Sequence, residues 1–247
     1  MPTDYNKQAN SWIRNEPIYP SDFIARPVVL NMLKKIGKGK VVLDVGCGEG
    51  YFSRKMAKIA KKVIAFDNSA GMIFLAKKQN LVDKYNIDYC VGDMNDMSFI
   101  ANSSVDICVC NFVINYLHHK KYQNFFRNIE RVLRPQGSLV LCGTHPCFYL
   151  KNTIGGVMNY KGLRDYDYIK SRGKYFHGTI KTIYGTLLKV GIYHSTLEDY
   201  LKAISDAGLK LDKFIEPPTK KSLLAKNYNN LDKLDESPIY MVIQAVK

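Results

Sequence analysis

No segment of this 247-residue chain reads as a membrane span. Its most apolar stretch, Val105 to Leu117, is too short to cross a bilayer and is broken by Asp106, Asn111 and Asn115. The first residues, Met1-Pro2-Thr3-Asp4-Tyr5-Asn6, include no basic flank running into an apolar core, so no secretory signal is visible and a soluble cytoplasmic protein with no membrane partner is expected. Cys-x-x-Cys pairs are missing as well. Cys47, Cys90, Cys108, Cys110, Cys142 and Cys147 lie mostly inside apolar, strand-like runs, where a free thiol behaves as a small hydrophobe. That argues against a disulfide framework and against structural zinc, and no metal site is expected. Acid is scarce, with 22 Asp and Glu against 36 Lys and Arg and a net charge of +14. Arginine is scarcer still, 8 against 28 lysines, although it is the better residue for bidentate phosphate recognition. The lysine pairs Lys34-Lys35, Lys61-Lys62, Lys77-Lys78, Lys120-Lys121 and Lys220-Lys221 are scattered, so no basic arm exists and a solvated lysine surface is the simpler reading.

What is present is apolar mass. Hydrophobic residues make up 46% and aromatics 12%, enough to offset chain entropy and to exclude disorder as the dominant state. The length suits one large core in one or two domains.

From Lys40 onward, short apolar runs alternate with helical periodicity. The spacing predicts strands at Val41–Val45, Val63–Asp67, Ile87–Val91, Val105–Cys110 and Ser138–Cys142, with helices at Phe52–Ala60, Ala70–Gln79 and Tyr122–Leu133. A turn is expected at Arg134-Pro135-Gln136-Gly137. From about His145 to His194 the chain is rich in Gly, Tyr and Lys and lacks a long helical period. It reads as an insertion, too small for its own core, with strands near 179–183 and 187–192. Ser195-Thr196-Leu197-Glu198 then reads as a capping box opening a helix that Gly208 stops, and strands follow at Leu209–Ile215 and Ile239–Val246. Repeated strand-helix units imply an α/β protein with one open, mostly parallel sheet covered on both faces.

The densest pattern is Asp44-Val45-Gly46-Cys47-Gly48-Glu49-Gly50, at a strand-to-helix junction. Glycines at 46 and 48 let the backbone turn tightly and approach a ligand, and Gly50 opens the helix. The dinucleotide fingerprint GxGxxG does not fit, because the third glycine comes one residue early and Asp44 would repel a pyrophosphate. A carboxylate there suits a cation. Asp67 and Asp93 close the next two strands, so three carboxylates gather at one sheet edge, the edge where ligands bind in such sheets.

These residues resemble class I S-adenosylmethionine-dependent methyltransferases, whose first motif is an acid followed by GxGxG. The resemblance runs from about Trp12 to the carboxyl terminus. It implies a Rossmann-like, seven-stranded, mostly parallel sheet with helices on both faces and the last strand antiparallel. It implies one domain over 1–247, with 1–38 as an amino-terminal lid and 145–194 as a substrate-covering insertion after the fifth strand. Asp67 then accepts from both ribose hydroxyls, with Asn68, Ser69 and Met72 following as in the family's Asp-x-Ser-x-x-Met segment. Gly92-Asp93-Met94 is similar to the adenine station. The cofactor residues implied are Asp44, Gly46, Cys47, Gly48, Gly50, Asp67, Asn68, Met72, Asp93, Met94 and Asn111. Where the family has its first turn glycine before the fifth strand, this chain has Gln136.

Methyl transfer from a sulfonium is a direct displacement, so the protein's task is to align a nucleophile and exclude water. The insertion carries enough aromatic surface to wall a pocket, which favours a small-molecule acceptor methylated on O or N. His145, in His145-Pro146-Cys147-Phe148 directly after the fifth strand, is the candidate base. Trp12, Tyr19, Tyr116, Phe148, Tyr175 and His194 are the candidate acceptor-site residues, and His118, His119 and His177 have no positional support. Two alternatives stay open at this point: a tRNA methyltransferase, from the positive charge, and a cofactor-binding module without catalysis. Cys108 and Cys110 are expected on one face of a buried strand, as core. The sequence leaves the oligomeric state undetermined.

Overall fold

The structure is a computed structural model that describes residues 5–147, 158–163, 165–219, 224, 228 and 237–247. Five strands, β1 (Val41–Val45), β2 (Lys62–Asp67), β3 (Ile87–Val91), β4 (Val105–Asn111) and β5 (Leu133–Thr144), pair in parallel. After a small antiparallel sheet of β6 (Met158–Tyr160), β7 (Tyr175–Lys181) and β8 (Leu187–Tyr193), the chain returns with β9 (Lys210–Ile215) and β10 (Tyr240–Val246). The large sheet has the order β3-β2-β1-β4-β5-β10-β9, and β10, the last strand, runs antiparallel to both neighbours. The chain reverses its direction of travel across the sheet between β1 and β4. That reversal opens a crevice beyond the carboxyl ends of these two strands.

Side-chain alternation divides the core. Val42, Val109 and Val140 face the side covered by α2 (Arg26–Ile36), α3 (Tyr51–Ala57) and α4 (Ala70–Asp83). Leu43, Val45, Cys108, Cys110, Leu139 and Leu141 face α5 (Tyr122–Val132) and α6 (Leu197–Asp206), so both cysteines are core on one face. A short helix, α1 (Pro20–Ile24), precedes α2. Among the described residues, no helix is long and apolar enough to cross a membrane.

Several details depart from the sequence reading: α3 ends at Ala57 rather than Ala60, α4 runs on to Asp83 rather than Gln79, and β7 lies at Tyr175–Lys181 rather than near 179–183. The capping box sits one residue later. Thr196 Oγ1 accepts from the Asp199 N–H and Asp199 Oδ2 accepts from the Thr196 N–H, while Ser195 Oγ is engaged 2.9 Å from the Tyr122 hydroxyl. β5 begins at Leu133, and the register with β4 jumps from Val105↔Leu133 to Ile107↔Ser138. The intervening turn holds Gln136 at φ +64°, a left-handed position that favours glycine. The insertion also has a third strand, β6, which apolar periodicity did not mark because it is three residues long.

Candidate functional site

The glycine loop leaves β1 at Gly46, whose φ of +69° suits glycine. A Cβ there would lie 2.3 Å from Val113 Cγ2, so the residue is required by space as well as by conformation. The N–H groups of Gly46 and Cys47 donate to the Phe66 carbonyl at 2.9 and 3.0 Å. The Gly48 N–H donates to Asp67 Oδ2 at 2.9 Å, and a Cβ on Gly48 would face open space. Asp67 Oδ1 accepts from the Ser69 N–H at 2.9 Å, and Ser69 caps α4. Two backbone donors therefore aim the Asp67 carboxylate, and burial still raises its pKa above the usual range.

Asp44 lies behind this loop, 1% exposed, and accepts from Ser53 Oγ at 2.5 Å. Burial pushes its pKa up to about 7, against the lowering effect of Ser53, and the nearby Asp67 charge adds to the rise. Two buried carboxylates that resist ionisation make a region that a bound cation would stabilise. Asp93 lines the same crevice at its exposed rim, with Oδ1 accepting from the Asn95 N–H at 2.8 Å.

Above the carboxylates lies a cavity of about 600 Å³. Its roof comes from the amino-terminal segment, where Trp12 packs against Tyr5 and Tyr19 at ring distances of 5.7 and 5.2 Å, and Tyr5 against Tyr116 at 5.2 Å. Arg14 is held between the Tyr19 and Tyr51 rings, 4.3 Å from each centroid, and pairs with Asp22. Arg54 clamps roof to loop. Its Nη1 donates to the Glu49 carbonyl at 2.8 Å, and its Nη2 to the Arg14 carbonyl at 2.9 Å and to Glu49 Oε2 at 3.2 Å. The opposite wall is the small sheet, contributing Met158, Tyr160, Tyr175 and Ile192.

At the end of β4, Asn111 is 9% exposed and lines the cavity with neither amide atom hydrogen-bonded to a described residue. An unsatisfied buried amide is costly and marks a place for a polar ligand group. Phe112 beside it holds φ at +61°, an uncommon conformation for a bulky residue.

Most of the residues singled out from the sequence come together here. Asp44, Gly46, Cys47, Gly48, Asp67, Asn68, Met72, Asp93, Met94 and Asn111 line the cavity, as do Trp12, Tyr19, Tyr116 and Tyr175. Gly50 does not line it; it caps α3 with φ +81°. His145 is not brought in either. It is 1% exposed, its Nδ1 accepts from the Cys147 N–H at 3.2 Å, and its Nε2 meets Glu216 Oε1 at 2.9 Å. With Nδ1 accepting, Nε2 carries the proton and points to Glu216, so the ring ties two loops together away from the cavity. His194 also turns aside, donating from Nε2 to the Tyr168 carbonyl at 2.8 Å. Phe148 lies outside the described residues.

Arg14, Glu49, Asn115 and His118 line the cavity without having been singled out from the sequence. Glu49 stood inside the quoted glycine loop, which was the available signal; the others depend on tertiary contacts. His118 Nδ1 accepts from the Lys120 N–H at 3.3 Å, and burial lowers its pKa, with Lys120 adding to the effect. Among the described residues, no group of three His, Cys, Asp or Glu side chains is placed to hold a metal ion.

A parallel sheet with its reversal at a glycine loop, carboxylates at successive strand ends and an aromatic roof make an open α/β fold with its crevice at the carboxyl ends of the strands. Residues 42–137 match the methyltransferase domain family. An S-adenosylmethionine-dependent methyltransferase from Mesorhizobium loti superposes over 90% of this chain and 96% of its own, with a TM-score of 0.66 at 21% identity, which is a likeness of fold. Malonyl-(acyl-carrier protein) O-methyltransferase of Yersinia pestis is 37% identical over 106 residues, 43% of this chain and 37% of that protein. The chain thus spans well under half the length of that relative. N-demethylindolmycin N-methyltransferase of Streptomyces griseus is 28% identical over 171 residues, 68% of each chain.

Proposed function

We propose that the protein transfers a methyl group from S-adenosylmethionine to an oxygen or nitrogen atom of a small metabolite. The observation that carries the reading is the joint placement of Asp44, Asp67 and the Gly46–Gly48 turn beneath one aromatic-roofed cavity. When bound, the sulfonium supplies an electrophilic methyl carbon and a neutral thioether leaving group. In this reading Asp67, already aimed by two backbone N–H groups, accepts from the ribose hydroxyls, and Asp93 and Met94 serve the adenine. The buried carboxylate of Asp44 favours the cationic end of the cofactor, and Asn111 supplies the polar contacts its own amide lacks. Gly50 contributes by opening α3.

The roof, described from Tyr5, acts as a lid in this reading, with 1–38 as the lid segment and 145–194 as the insertion that serves the acceptor within one methyltransferase domain. Trp12, Tyr19, Tyr116 and Tyr175 exclude water and orient the acceptor. No protein base is needed when a neutral amine or an ionised oxygen attacks, and the reading gives His145 a structural role, tying two loops together through Glu216. The relatives' names, one an O- and one an N-methyltransferase, support the acceptor atoms proposed. Six free thiols support a cytoplasmic location.

Calorimetric titration with S-adenosylhomocysteine tests the cofactor half. Binding by the wild-type chain, weakened in Asp67→Ala, is the expected result, and absence of binding sinks the reading. Incubation with labelled cofactor and a metabolite extract tests the acceptor half: label must appear in a small molecule, and label found in tRNA or nowhere would overturn it.

A further inference from the structure

The helix α4 is apolar on two sides. Its inner side buries Ile73 and Ala76 against the sheet, and Met72 lines the cavity. Its outer side presents Phe74, Leu81 and Val82, which are 67%, 76% and 76% exposed. Steps of seven and eight residues return to the same helix face two turns on, so the three form one stripe. The other long helices are built differently. Their outward positions are polar, such as Lys34 on α2, Arg127 on α5 and Lys202 on α6, and none of them exposes a large apolar side chain. A helix apolar on both sides is ordinarily covered on both.

The charge around the stripe indicates what covers it. Lys77, Lys78 and Lys84 are exposed on or just beyond the same helix. The neighbouring acids are committed elsewhere, Asp83 to Arg54 at 3.5 Å and Asp88 to Lys62 at 2.6 Å. A second copy of this chain docked by a two-fold axis would set lysines against lysines. A convex face with protruding apolar side chains and long lysine stems suits a fluid anionic surface, into which the apolar groups sink while the ammonium groups reach the headgroups. The amino end of α4 also touches the roof of the cavity. Asn6 Oδ1 accepts from Ser69 Oγ at 2.8 Å and from the Gly71 N–H at 3.1 Å.

We infer that the outer face of α4 is a docking surface for anionic lipid bilayers, with Phe74, Leu81 and Val82 inserted among the headgroups and Lys77, Lys78 and Lys84 paired with them. Docking by this face holds the lid edge at the bilayer surface, where an apolar acceptor suited to the aromatic cavity would be concentrated. The inference stands on the surface alone and does not depend on the reaction proposed above.

Vesicle co-sedimentation of the full chain tests it, using phosphatidylcholine alone and an equal mixture of phosphatidylcholine and phosphatidylglycerol. The wild-type chain should pellet with the anionic vesicles and not with the neutral ones, and binding should weaken with salt. The triple variant Phe74→Ser, Leu81→Ser, Val82→Ser should lose about tenfold in partitioning. Its far-ultraviolet circular dichroism and melting temperature, matched to wild type, establish that it is folded. Failure of the wild type to bind anionic vesicles, or undiminished binding by the triple variant, overturns the inference. So does binding to polyglutamate without binding to vesicles, which would point to an acidic protein, and so does a concentration-dependent dimer that the triple variant abolishes. Loss of S-adenosylhomocysteine binding by wild type would strike the proposed reaction and leave this result untouched.

Discussion

The backbone N–H of Gly48 donates to the carboxylate of Asp67 at 2.9 Å, tying the loop after β1 to the end of β2. This one bond joins the two stations on which cofactor binding is proposed to rest. Asp67→Ala removes both the acceptor for the ribose and the anchor of the loop. Hydrogen bonds to a charged group are each worth about 1.5–3 kcal/mol, so S-adenosylhomocysteine should bind roughly 10- to 100-fold more weakly by calorimetry. An unchanged affinity would remove Asp67 from the site.

Gly46 and Gly48 share a left-handed φ but not the same surroundings. Gly46→Ala drives a Cβ to 2.3 Å from Val113 Cγ2, whereas Gly48→Ala meets nothing within 4 Å. Gly48→Ala should therefore cost only the conformational penalty of about 1–2 kcal/mol, and Gly46→Ala clearly more. Thermal melts of both, and of Gly46→Ala with Val113→Ala, should show the second substitution recovering part of the loss.

Asp44 titrates in an accessible range. Its folded pKa of about 7 lies above its ordinary value of 3.8, so its contribution to stability is fully present below the ordinary value and is lost as pH rises through about 7. The difference in melting temperature between wild type and Asp44→Asn should therefore move against wild type as pH rises across that window. A cationic ligand reverses the preference by stabilising the ionised form. Titration with S-adenosylmethionine, with no methyl acceptor present, near pH ~6 should then release protons, seen as a binding enthalpy that changes with the ionisation enthalpy of the buffer, and Asp44→Asn should abolish that dependence.

Arg54 meets the Glu49 carbonyl and carboxylate, the Arg14 carbonyl, the Asn15 side chain and Asp83 at once. Arg54→Met would leave the Glu49 carboxylate buried without its partner, and breaking a buried pair in this way costs about 3–5 kcal/mol. Urea denaturation should show a loss of that size. Because the Arg14 carbonyl is released too, limited proteolysis should cut the amino-terminal segment faster in the variant than in wild type under native conditions.

His145→Phe separates a structural role from proton transfer. The ring bonds Glu216 and does not line the cavity, so the variant should melt at lower temperature while retaining S-adenosylhomocysteine affinity and methyl transfer. A pH–rate profile that loses a limb in the variant would restore His145 as a base.

Local patterns carried much of this fold. β1 to β4 and their helices were legible because each buries a continuous apolar run or a helical stripe, and the loop from Gly46 to Gly50 because its residue types are dictated by backbone conformation. The capping box was displaced by one residue because Tyr122, distant in sequence, engages the Ser195 hydroxyl. His145 followed the correct strand, yet which way its ring turns was decided by Glu216 on another loop.

By itself the sequence determined the order of strands and helices and the alignment of three carboxylates with three strand ends, since alternation and turn chemistry are properties of neighbouring residues. Only the tertiary structure decided which side chains meet. Arg14 reaches the cavity because Arg54, forty positions away, holds its carbonyl, and Asn111 is left with two unsatisfied atoms because no described element arrives to bond them. In the same way, Phe74, Leu81 and Val82 face water because no described segment covers that face of α4, and contact between distant segments is not written in the local pattern of any one of them.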